Sequence, residues 1–262
     1  MGTLRDILDA AARGVFPPAD GRTTVLPQPC PRDAGVLSFT AHSVVFTDED
    51  PEWVHATLAA ADCDALAASM SPRFLTALLD RTGRVAETVD QLWAGSPLPG
   101  PPSLALTEIE DPEHPRVVSS RRRRDEVRVW AAQGGVIVLG RGVAGRLEVA
   151  VEVEEDVRHR GLGRALVGAA RHLGGGEPVW AQISPGNARS TRAFQAAGYL
   201  PVGAEALLTL RRTPDVPAAG APAGDGGCLR AQTPPSGRCR CDRASSGPAA
   251  GTRPDRAGPG RP

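Results

Sequence analysis

The sequence predicts an α/β protein, a central mixed β-sheet flanked by helices, with an N-terminal α/β extension and a disordered C-terminal tail. Three observations predict it. Short apolar runs alternate with helical patterns between residues 125 and 210. One run, RLEVAVEV at 146 to 153, sets Leu147, Val149, Val151 and Val153 against Glu148, Ala150 and Glu152 with a period of two. A glycine-containing turn follows and opens directly into GRALVGAARHL, which has helical spacing and stops at glycines 174 to 176.

Three regions follow from composition. Residues 1 to 115 form the extension, where helical patterns alternate with proline-rich connectors. Asp50 caps a helix with Pro51 at its first position. A second helix is predicted over 72 to 81, ended by Gly83, and a third over 85 to 94. Residues 35 to 47, GVLSFTAHSVVFT, read as one or two strands. SPLPGPPS at 96 to 103 punctuates the chain.

Residues 116 to 211 carry the clearest pattern. VRVWAA and GVIVLG, joined through Gln133 and Gly134, predict a hairpin. PVWAQIS is a strand, NARSTRAFQAAG a helix that Asn187 opens and Gly198 ends, and VGAEALLTL a last strand. Residues 212 to 262 shift to Pro, Gly, Ala, Ser and Arg. Such a segment cannot bury enough surface to offset its ordering entropy, so it is predicted to be disordered.

Composition narrows the function classes. The formal net charge is zero, which gives no support to a globally basic nucleic-acid binder. The arginine run 121 to 124 has acidic neighbours and reads as a solvated face. Five cysteines at irregular spacings do not form a disulfide framework, so a reducing cytoplasm is expected. No run approaches the ~20 apolar residues of a membrane span, so no membrane partner is expected. The histidines and cysteines lack metal-ligand spacing, and no metal is expected.

The chemistry concentrates at 158 to 164, RHRGLGR. A strand feeding through such a loop into a helix aims the loop amides and the helix N-terminus at one spot, which suits a phosphate. Without side chains at Gly161 and Gly163 the backbone can turn sharply and oxygens can come close. Arg158, Arg160 and Arg164 add charge-assisted contacts. A Rossmann dinucleotide loop is the competitor. It fits poorly, because Leu166 stands where a small residue is wanted and no acidic residue ends a following strand at the usual distance.

The run VEVEEDVRHRGLGRALVGAA resembles the cofactor signature of the GNAT (GCN5-related) N-acetyltransferase superfamily, with Arg158, Gly161 and Gly163 on its fixed positions. NARSTRAFQAAGYLPVG resembles that family's second cofactor motif through Asn187, Ser190, Gly198 and Tyr199. The resemblance implies a GNAT-like sheet and acetyl-CoA as co-substrate, held by Val151, Val153, Arg158, His159, Arg160, Gly161, Leu162, Gly163, Arg164, Asn187 and Ser190. It implies that the strand before the loop splays from its neighbour to receive the pantetheine arm, with an amide near Val153 polarising the thioester. The acceptor would be a primary amine, on a small molecule or a protein, attacking directly in a ternary complex. Glu148 and Glu152 are the expected bases, at least one of them facing solvent or the cleft. The family's usual tyrosine acid is Phe194 here, so either water or the protonated amine product resolves the thiolate, or Tyr199 or Ser190 substitutes, or the site is slow or silent. A non-catalytic acyl-CoA-binding or regulatory protein is the alternative.

Overall fold

The computed structural model describes residues 2 to 211; the tail reading therefore lies outside the described residues. The strands are β1 Thr23–Leu26, β2 Ala34–Phe39, β3 His42–Phe46, β4 Val89–Gly95, β5 Thr107–Ile109, β6 Asp125–Ala132, β7 Gly135–Arg141, β8 Leu147–Val153, β9 Val179–Ile183 and β10 Leu200–Leu208. The helices are α1 Leu4–Ala11, α2 Pro51–Ala59, α3 Ala65–Ala68, α4 Pro72–Thr82, α5 Pro115–Arg121, α6 Leu162–Leu173 and α7 Ala188–Ala196. All ten strands join one mixed sheet in the order β1-β3-β2-β10-β4-β9-β8-β7-β6-β5. Only the β1–β3 and β8–β9 pairings are parallel among the described strands.

Local signals place the helix ends. Thr3 and Asp6 form a reciprocal capping box at α1, and Asp50 accepts from the Glu52 N–H at α2, whose first residue is Pro51. Gly83, at φ 65°, closes α4 in the left-handed conformation that glycine adopts at least cost.

One prediction is overturned. Residues 85 to 94 are not a helix; 89 to 95 form β4, hydrogen-bonded between β9 and β10. Val89, Leu92 and Trp93 have helical spacing, but a strand covered on both faces buries neighbours regardless of parity. On β4, Val89 and Trp93 turn to one face of the sheet and Leu92 and Ala94 to the other.

The first face is covered by α6 and α7 at one end and by α2 and α4 at the other. Phe74 and Leu78 of α4 and Leu166 and Val167 of α6 are fully buried there. Side chains of this kind each contribute about 1.5–3 kcal/mol relative to exposure. The second face carries α1, through Leu4 and Leu8, and α5, through Val117 against Val129 and Val138. No described helix is long and apolar enough to cross a membrane.

Candidate functional site

The β8–β9 pair is in register only at Leu147↔Val179 and Glu148↔Trp180. Beyond those residues each strand keeps its outer neighbour, β8 pairing with β7 through Val153 and β9 with β4 through Ile183. The two parallel strands therefore part. The Glu154 N–H donates to the Gly134 carbonyl across the ladder to β7, at 2.9 Å. Antiparallel alternation then turns the backbone groups of Val151 and Val153 the other way, into the gap.

The loop after β8 ends at a helix start with no side-chain cap. Gly161 sits at φ 85°, a conformation strained for any residue with a Cβ; its carbonyl accepts from the Ala165 N–H, but it offers no side-chain acceptor to the first turn of α6. The N–H groups of Leu162, Gly163 and Arg164 lack intrahelical partners and carry the positive end of the helix dipole. His159 is also left-handed, at φ 66°. Arg160 and Arg164 have no ion pair among the described residues and stand at the loop's exposed rim.

A cavity of about 600 Å³ joins these parts. Val151, Glu152, Val153, Arg158, His159, Gly161, Leu162, Gly163, Arg164, Asn187, Ser190 and Phe194 all line it. Those residues come from the parted strand, the loop, and the starts of α6 and α7. Arg160 instead faces a neighbouring hollow of about 710 Å³ on the other side of the α6 start, which Gly161, Leu162 and Arg164 share.

Two members of the predicted cofactor set have structural partners of their own. Asn187 caps α7, its carboxamide oxygen accepting from the Ser190 N–H at 3.1 Å, so only its amide nitrogen is left to donate. Arg158 donates from Nε to the Val153 carbonyl at 3.2 Å, bracing the loop against the end of β8.

The catalytic expectations need correction at two residues. Glu148 faces neither solvent nor the 600 Å³ cavity: its side chain is 5% exposed and bridges Arg146 Nε at 2.8 Å and Arg124 Nε at 3.1 Å. Burial works against its charge, but Arg146 and Arg124 outweigh it and hold the carboxyl below the usual glutamate range. A carboxylate held that way is a poor proton acceptor. Tyr199 is no thiol acid either. It lies in the core, stacked edge-on against Phe194 at 4.9 Å, and its hydroxyl donates to the Val167 carbonyl at 3.3 Å. Burial raises its pKa further above the usual tyrosine value. Glu152, by contrast, is exposed and at the cavity wall. Arg124, expected on a solvated face, is drawn inward by Glu148.

A polar cluster that sequence patterning does not reveal lies on the second face, beside the point where β8 and β9 part. Arg146, fully buried, also donates to Glu205 of β10 at 2.7 Å, and Gln182 of β9 donates to the same carboxylate oxygen. Arg146 Nη1 and Glu205 Oε1 are buried without a hydrogen-bond partner. A small cavity of about 100 Å³ lies here, lined by Asp33, Glu87, Thr88, Asp90, Arg123, Arg124, Glu148 and Gln182, with Val143, Leu207 and Thr209. Glu148 and the arginines 123 and 124 stand out in the sequence; Asp33, Glu87, Thr88, Asp90 and Gln182 come from segments far apart in it.

No protein-family model matches the chain, and no curated protein does. Several solved structures similar to it are described as acetyltransferases of the GNAT kind, and one as a functionally unknown conserved protein from Staphylococcus epidermidis. They include a GCN5-related N-acetyltransferase from Kribbella flavida, at 18% identity and a TM-score of 0.36, covering 53% of this chain and 64% of that one. A GCN5-related N-acetyltransferase from Sphaerobacter thermophilus matches at 15% and 0.32, over 53% of this chain and 56% of that one. A tandem GNAT protein from the clavulanic acid biosynthesis pathway matches at 14% and 0.32, over 52% and 57%. The chain thus spans less than two thirds of each of these three. The functional reading rests on the parted strands and the loop, not on these overlaps.

Proposed function

We propose that the chain transfers an acetyl group from acetyl-CoA to a primary amine. The observation that carries this reading is the β8–β9 pair, which parts after Glu148 and Trp180 directly beside an uncapped, glycine-started helix, both on one 600 Å³ cavity. A long, thin ligand with a phosphate at one end and a hydrogen-bonding arm at the other fits that combination. The first turn of α6 would hold the pyrophosphate, with Arg160 and Arg164 at its rim. The backbone of Val151 and Val153 would hold the pantetheine amides, and the Val153 N–H would polarise the thioester carbonyl.

In that geometry the amine nitrogen forms its bond to the carbonyl carbon, the C–S bond breaks, and CoA leaves as a thiolate. An alkylammonium of pKa ~10 must first lose a proton. Glu152 is the remaining expected base at this cavity. With Phe194 carrying no proton and the Tyr199 hydroxyl turned into the core, the thiolate takes its proton from water or from the ammonium nitrogen of the tetrahedral adduct, which collapses to the amide.

The same absence of a side-chain acid favours a second reading, a non-catalytic acyl-CoA-binding protein. One experiment separates the two: thermal shift with acetyl-CoA, alongside thiol release across a panel of amines. A shift with turnover supports the transferase. A shift without turnover on any amine supports the binding protein, and no shift refutes both.

A further inference from the structure

On the second face, the carboxylates around the small cavity can be matched to arginines one by one. Glu148 is bridged by Arg146 and Arg124, Glu205 by Arg146, Asp33 by Arg32 at 3.0 Å and Glu87 by Arg123 at 2.6 Å. Asp90 has no ion pair and no hydrogen bond among the described residues. It stands directly opposite Glu205 in the β4–β10 ladder, and Glu205 is 99% buried with its Oε1 unpartnered. Asp90, half-buried, is thus an unmatched charge on the cavity wall, and its neighbour Glu205, held through Oε2 by Arg146 and Gln182, keeps one buried oxygen, Oε1, without a donor. A buried oxygen left without a partner is costly.

Position adds a second argument. Asp90 lies within β4, one residue before the Gln91↔Ile183 pair, level with the end of β9 where it has left β8. Alternation puts it on the same face as Leu92 and Glu205, opposite the face that α6 and α7 cover. The large cavity and the small one thus adjoin the parted pair from different sides.

We propose that this cavity seats the ammonium head of the acceptor, with Asp90 on its wall as the ionic partner and the buried carboxylate of Glu205, opposite Asp90 in the ladder, adding negative charge behind it. This rests on the transferase reading for the word acceptor, although the cation site stands on its own residues. The chemical class is a monocationic primary ammonium on a slender chain, since about 100 Å³ admits a head group and little more. An anionic or bulky neutral head would leave Asp90 and Glu205 as they are.

Burial raises the pKa of Asp90, and the Glu205 and Glu87 charges raise it further against Arg123. Arg124, Glu148 and Asp33 complete the charged groups around the cavity. A carboxylate shifted this way can take a proton from a bound ammonium more readily than an ordinary aspartate can. It also loses its grip on a cation at a higher pH than an ordinary aspartate would.

The test uses the full chain and ethylammonium chloride, with sodium chloride and ethanol as matched controls, followed through the backbone amides of Asp90 and Gln182 by NMR. Saturable shifts with ethylammonium alone are expected. Asp90→Asn and Asp90→Ala should weaken binding at least tenfold, whereas Asp80→Asn, on an exposed face of α4, should not. Binding should fade on acidification before ordinary aspartates titrate. No saturable shift, equal binding by both Asp90 variants, or shifts that sodium chloride reproduces would overturn the proposal. Acetyl-CoA binding, measured separately, keeps the two ideas apart: its failure refutes the transferase and leaves the ammonium result readable.

Discussion

Gly163 separates a structural demand from a ligand's demand. A Cβ built there would lie 3.7 Å from Val153 Cγ2, an ordinary contact, and the residue is not left-handed. The fold therefore has no need of glycine at this position. Exchanging a helical glycine for alanine stabilises by roughly 0.5–1 kcal/mol. At about 2–4 °C per kcal/mol for a fold of this size, Gly163→Ala should raise Tm by roughly 1–4 °C. The added methyl would nevertheless occupy space that a phosphate oxygen needs beside the first turn of α6. Acetyl-CoA affinity should therefore fall at least tenfold, ~1.4 kcal/mol. Differential scanning fluorimetry without ligand and calorimetric titration with acetyl-CoA measure the two effects on one preparation. If the variant is more stable and binds acetyl-CoA as tightly as before, the phosphate is not at this turn.

Arg146→Met should destabilise by about 3–5 kcal/mol in urea unfolding, because it leaves Glu148 and Glu205 buried and charged. Tyr199→Phe should cost ~1 kcal/mol through its bond to Val167 and leave turnover unchanged, since the hydroxyl serves packing; a large loss of kcat would reinstate it as an acid. The Glu148 pKa is lowered on folding, so its contribution is complete above the reference value of 4.5 and is lost as pH falls through the folded value. Thermal melts across that range should show wild-type stability dropping on the acid side and Glu148→Gln dropping less.

Much of the fold from β6 to β10 was readable because those strands and helices carry one clean period each. RLEVAVEV alternates, and GRALVGAARHL has the spacing of a helix with one buried stripe. The same alternation puts Glu148 and Glu152 on one face and Val149 and Val151 on the other, but does not tell what covers either face. Arg146 lies only two residues away in sequence, yet the pairing that disarms Glu148 also needs Glu205 from β10 and Arg124 from the start of β6's approach. Asp90 was hidden for a different reason. Its strand is buried on both faces, so its apolar residues carry no period of two and were read as a helix. Asn187 was readable as a helix opener from its residue type, and the structure shows it in that role.

The placement of β4 limits how this chain can be taken apart. β9 and β10 are consecutive strands, joined through α7, but they do not touch as neighbours; β4, from far earlier in the chain, fills the slot between them. Cutting at the proline-rich stretch after residue 95 would release a piece with two raw sheet edges facing each other across an empty lane, an invitation to self-association. The lane is also long-range in sequence, so its filling belongs to the slow end of folding, after the local hairpins have formed. A seven-residue strand supplied in trans is the natural missing piece for such a fragment, and it would bring Asp90 with it.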